Sequence, residues 1–179
     1  MKSFPSLFCL ALALTGCASI GGASPTSTPI PIAYATFHDP RFGFSFKYPP
    51  NWTIPKSGGQ TVQISGLQRY VLNIALPGNE AGMSVEVNGD SQPLPLSFTN
   101  GFKTHLPNDP RTYVYFHSAV AGQPAMKIER YSNSQIDQID TVFDTQQDRY
   151  VIRTISPNPP FTTRALAGYK EIVRTFKAQ

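Results

Sequence analysis

The sequence predicts an α+β fold: an antiparallel β-sheet of about six to eight strands flanked by helices, with a C-terminal helix packed on the sheet. Three observations predict it. Apolar side chains recur at every second position in a succession of short runs, 17 prolines in 179 residues interrupt long helices, and one stripe of helical period closes the chain. With 40% apolar and 12% aromatic residues, the composition suits one compact domain over residues 34–179. Charged residues make up only 15%, and the formal charge of +4 is spread along the chain, which argues against a nucleic-acid partner.

The elements follow in order. Phe42, Phe44, Phe46 and Tyr48 alternate with Gly43, Ser45 and Lys47, so a strand places four aromatics on one face, and Pro49-Pro50 stops it. These rings and Trp52 are read as core. Thr61 to Leu67 alternates through Val62 and Ile64. Tyr70, Leu72, Ile74 and Leu76 share a face until Pro77-Gly78, and Met83, Val85 and Val87 share one until Asn88-Gly89-Asp90. Phe98, Phe102 and Leu106, at steps of four, predict a short helix that starts near Ser97 and is weakened by Gly101. Strands are predicted again over 112–118, 124–131, 135–144 and 149–156, the last two forming a hairpin around Thr145-Gln146-Gln147-Asp148. Phe161, Ala165, Tyr169, Ile172, Val173 and Phe176 form the closing helical stripe, with Asn158 as its expected cap and Pro159 in its first turn.

The N-terminus has a different texture. Lys2 precedes an apolar run from Phe4 to Leu14, too short for a bilayer, which needs about 20 helical residues. The run ends in Leu14-Thr15-Gly16-Cys17, which resembles the bacterial lipoprotein signal. The resemblance implies removal of residues 1–16, lipidation of the Cys17 sulfur and N-acylation of the new terminus. Several chains hold a protein durably where one holds it weakly. The mature chain is then anchored to a membrane with no transmembrane helix. Cys9 leaves with the signal and Cys17 is consumed by lipid, so the folded part has no thiol for disulfides or thiolate zinc sites. Residues 17–33, rich in Ser, Thr, Gly and Pro, read as a flexible tether. No Asp follows Cys17. By the sorting rules of that resemblance, the expected location is the cell envelope: the outer membrane, facing the periplasm, if the host is Gram-negative, otherwise the outer face of the cytoplasmic membrane.

Phe37-His38-Asp39-Pro40, Gly43-Phe44-Ser45-Phe46-Lys47-Tyr48-Pro49 and Trp52 resemble the opening of PsbP-like domains, the fold shared with DcrB lipoproteins. Ala121-Gly122-Gln123-Pro124-Ala125 resembles a later turn of that group, and Thr175-Phe176-Lys177 its usual ending. The resemblance spans 37–177 and implies an α-β-α sandwich. It carries over no metal-binding or docking residue. PsbP is an accessory subunit of the oxygen-evolving photosystem.

The chemistry-bearing residues are sparse. There is no Gly-x-Ser-x-Gly motif, and His38, His105 and His117 show no triad-like spacing, so the chain is read as a non-enzyme with no cofactor. His38 beside Asp39 is read as turn chemistry rather than as a catalytic or metal pair. Tyr113, Tyr115 and His117 share one strand face and form a candidate ligand face, since each offers an apolar body and a polar tip. Asp137, Asp140, Asp144 and Asp148 raise a metal reading. Asp140 and Asp144 would lie about 13 Å apart on a strand, and Asp137 has the opposite parity, so a solvated hairpin edge is preferred. Lys170, Arg174 and Lys177, read on the closing helix opposite its apolar stripe, form a candidate docking face for an acidic partner or anionic head groups. The leading expectation is a lipid-anchored envelope protein that binds a protein partner or assists assembly. The alternative is a small-ligand or metal-binding accessory lipoprotein, and a hydrolase comes third.

Overall fold

The computed structural model describes residues 33–64, 67–89 and 94–178. The signal at 1–16, the lipidation point Cys17 and the tether up to residue 32 lie outside the described residues. The elements are β1 (Ala35–His38), β2 (Ser45–Tyr48), β3 (Gln60–Ile64), β4 (Leu67–Ala75), β5 (Gly82–Asn88), β6 (Phe102–His105), β7 (Thr112–Val120), β8 (Gln123–Ser132), β9 (Gln135–Asp144), β10 (Arg149–Ile155) and α1 (Thr163–Thr175).

Strands β1 and β2 form a small antiparallel sheet, and the other eight form one sheet in the order β3-β4-β5-β10-β9-β8-β7-β6. Every ladder is antiparallel. The large sheet is thus two meanders, β3 to β5 and β6 to β10, joined along the central β5/β10 pair. The expected hairpin is present: Asp144 faces Arg149, and the Thr145 N–H donates to the Asp148 carbonyl at 2.8 Å. Ala121 and Gly122, both left-handed at φ 51° and 79°, make the tight turn between β7 and β8 that suits the twist of a hairpin.

Alternation decides what is inside. Tyr70, Leu72 and Ile74 of β4, Met83, Val85 and Val87 of β5, Tyr150 and Ile152 of β10 and Phe143 of β9 are all buried. They point to one face, which α1 covers with Ala165, Gly168, Tyr169 and Ile172. Phe176, just past the helix, lies 6.1 Å from Phe46 of β2 and 5.5 Å from Tyr150 of β10, ring centre to ring centre, and so ties β2 to the large sheet. Full burial of such a ring is worth roughly 1.5–3 kcal/mol.

Three expectations are corrected. Among the described residues there is one α-helix, on one face of the sheet, so the sheet is not flanked by helices on both sides. The helix expected near Ser97 is absent: Phe102 begins β6, and Gly101 sits at φ 82°, where the chain turns into the strand. The closing helix starts later than predicted. Its cap is Thr162, whose Oγ1 accepts the Ala165 N–H at 3.2 Å, and not Asn158.

Candidate functional site

The outer face of the sheet, away from α1, carries the polar and aromatic side chains of opposite parity. Residues 94–98, on the way to edge strand β6, lie against this face. Leu94, Leu96 and Phe98 pack on Met126, Val142 and Val151, a small second core separate from the main one.

Tyr113, Tyr115 and His117 share this face, and the structure divides them between two environments. The Tyr113 phenol donates to Asp109 Oδ2 at 2.7 Å, and Asp109 pairs with Arg111 at 2.7 Å. Hydrogen bonds from the Arg111 side chain, then from its N–H and from Tyr113, hold the Asp109 carboxyl well below the usual carboxylate range. His117 lies flat against Phe98, ring centres 4.5 Å apart. Its Nε2–H donates to the Phe98 carbonyl at 3.0 Å, and its backbone N–H donates to Asn100 Oδ1 at 2.9 Å. Tyr115 stands between Phe98 and Phe102, at 5.9 and 6.0 Å. These three rings, with Pro95, Thr104 and Met126, line a depression of about 230 Å³. Phe102 on the edge strand is 49% exposed, a large apolar ring presented to solvent.

The acidic residues behave differently from a hairpin edge. Strand β9 lies inside the sheet between β10 and β8, and its carboxylates meet arginines: Asp137 with Arg130 at 2.8 Å, Asp144 with Arg149 at 2.8 Å and Asp140 with Arg153 at 2.9 and 3.1 Å. Arg153 also donates to buried Glu86 at 2.8 Å, and Arg69 stands 3.8 Å from the same carboxylate. Burial works against the Arg153 charge, but hydrogen bonds to Asp140 and the two carboxylate charges outweigh it and raise its pKa. Among the described residues no group of three His, Cys, Asp or Glu side chains is placed to hold a metal ion. His38 is exposed, while buried Asp39 accepts the Arg41 and Phe42 N–H groups at 2.9 and 3.1 Å, the turn chemistry expected of it.

The basic face is also revised. Lys170 is exposed on α1, and Arg174 pairs with Glu171 at 2.6 Å. Lys177 lies beyond the helix, its backbone bridged to Ser45 at 2.9 Å in both directions. The three cations therefore do not form one helical row.

Sequence reasoning missed Phe98 and Phe102 as partners of Tyr115 and His117, because a four-residue spacing suggested a helix. It also missed Arg153. The signal was available there: a hairpin that pairs Asp144 with Arg149 also pairs Asp140 with Arg153.

No family model matches the chain, and no curated protein matches it. Among solved structures, the chain is similar to the solution structure of cyanobacterial PsbP from Synechocystis sp. PCC 6803. The identity is 11%, the alignment covers 93% of this chain and 99% of that one, and the TM-score is 0.48. Among the described residues no helix is long and apolar enough to cross a membrane.

Proposed function

We propose that this chain is a lipid-anchored envelope protein whose single PsbP-like domain binds a protein partner through the aromatic edge formed by β6, β7 and residues 94–98. The observation that carries the reading is half-exposed Phe102 beside Tyr115, Phe98 and His117. Large rings on a positioned strand edge are the side chains that dominate protein interfaces. The edge strand also leaves main-chain groups for an incoming strand. Leu14-Thr15-Gly16-Cys17 supports anchoring at Cys17, and the motifs at 37–52 support the PsbP-like domain. The domain is read as non-enzymatic and without a cofactor.

The test is a photo-crosslinking amino acid placed at Phe102 in the full chain, in envelopes at near-native expression, with one at exposed Lys56 as control. The reading expects a discrete protein adduct from position 102 that position 56 does not give. No adduct, or the same adducts from both positions, would contradict it.

A further inference from the structure

A cavity of about 790 Å³ opens at the far end of the sheet, remote from the aromatic edge. Register builds its floor on the outer face. Ala75, Gly82 and Ile155 lie side by side on β4, β5 and β10, with Asn73, Ser84 and Arg153 in the next row. Pro55 and Pro157 belong to its walls.

Gly82 is the unusual member. Glycine within a sheet costs roughly 0.5–1 kcal/mol relative to alanine and is retained where the backbone or a close approach requires it. Gly82 is not left-handed, and a Cβ built on it meets nothing within 4 Å. Neither the fold nor a neighbouring side chain requires a glycine there. Its effect is to lower the floor between Ala75 and Ile155, making a trough across the row where β4, β5 and β10 begin or end.

The chemistry at the trough's polar end selects the ligand. Arg153 is held rigidly by Asp140 and Glu86, and with Arg69 the cluster has two guanidiniums against two carboxylates, so it carries no net charge. Of the five N–H groups of a guanidinium, those three bonds leave two for an acceptor. Ser84 and Asn73 add a hydroxyl and an amide. The two carboxylates beside Arg153 and Arg69 offset the charge attraction an anionic head group would otherwise find and give a cation no free partner, whereas a carbonyl or hydroxyl oxygen needs only the remaining N–H donors. We propose that this trough binds a small uncharged amphiphile, its apolar chain or ring on Ala75, Gly82 and Ile155 and its oxygen at Arg153, Ser84 and Asn73. The site is independent of the partner-binding edge.

The test uses the full chain, a photoactivatable decyl alcohol and the matching carboxylic acid and amine, with labelled peptides mapped by mass spectrometry. The alcohol is expected to label peptides around 73–84 and 153–158. Gly82→Leu, which fills the trough, lowers that labelling by about ten-fold at an unchanged melting temperature, and the acid and amine label several-fold less than the alcohol. If Gly82→Leu fails to fold, Ala75→Leu, at an exposed position of the same floor, replaces it with the same expectation. Labelling unaffected in a folded trough-filling variant, equal labelling by all three probes, or labelling elsewhere only would overturn the proposal.

Discussion

The Tyr70 phenol donates its proton to the buried carboxylate of Asp39, and its oxygen accepts the Gly59 N–H at 2.7 Å. Asp39 follows β1 and Tyr70 lies in β4, so this contact fastens the small sheet to the large one. Burial, and then the bond to Asp39, push the Tyr70 pKa up to about 12.

Tyr70→Phe removes the donor from a buried carboxylate and the acceptor from the Gly59 N–H, and is expected to cost about 1–3 kcal/mol at neutral pH. The folded-state pKa is raised above the unfolded value near 10. Its contribution is therefore fully present below pH 10 and lost as pH rises towards 12. Denaturant melts across that window should show a shallower alkaline loss in Tyr70→Phe than in the parent. Part of the loss persists, because burial also raises Tyr150. Equal slopes would contradict the contact.

Gly168 gives a steric prediction. A Cβ at this position of α1 would lie 2.1 Å from the Trp52 ring, so the helix packs on Trp52, in the segment between β2 and β3, only because the side chain is absent. Gly168→Ala should cost about 1–3 kcal/mol by overpacking, despite the better helix propensity of alanine. A thermal melt at or above the parent's would sink this packing account.

Most of the sheet was legible because alternation reports burial directly. Tyr70, Leu72, Ile74 and Leu76 were placed on one face by period alone, and all four are buried. The stripe Ala165, Tyr169 and Ile172 was legible from its helical period instead, with Phe176 buried just past the helix end. Residues 98–106 were not, because their spacing satisfies a helix while their contacts are non-local: Phe98 stacks on His117 and Phe102 packs on Tyr115. β1 was missed because Ala35-Thr36-Phe37-His38 is short and exists through pairing with β2, where Phe37 faces Phe46. Position along the sheet was also hidden. The meander was visible, but the β5/β10 pairing that makes β9 an interior strand depends on a crossover with no local signature.

The Arg153 cluster predicts a non-additive mutation series. Arg153→Met leaves Asp140 and Glu86 without their main partner and should cost about 3–5 kcal/mol, whereas replacing Arg153, Asp140, Glu86 and Arg69 together by apolar residues of similar volume should recover most of that loss. Denaturant midpoints across the series measure it, and simple additivity would count against a coupled network.

Asp109 predicts an acid-side effect. Its carboxyl titrates below the ordinary range because of Arg111, so the stability it contributes is present above the unfolded carboxylate pKa and is lost as pH falls towards the folded value. Arg111→Ala should move the Asp109 midpoint, followed by carboxyl NMR, back towards an ordinary aspartate. An unchanged midpoint would remove Arg111 as the cause.

The most direct test of the central claim, a lipid-held partner-binding domain, is intact mass spectrometry of the mature protein after detergent phase partitioning. The account predicts a chain that begins at Cys17, carries the added mass of a diacylglyceryl group and an acyl chain, and enters the detergent phase. A Cys17→Ser variant should stay uncleaved and lack that mass. An unmodified mature terminus recovered from the aqueous phase would contradict it.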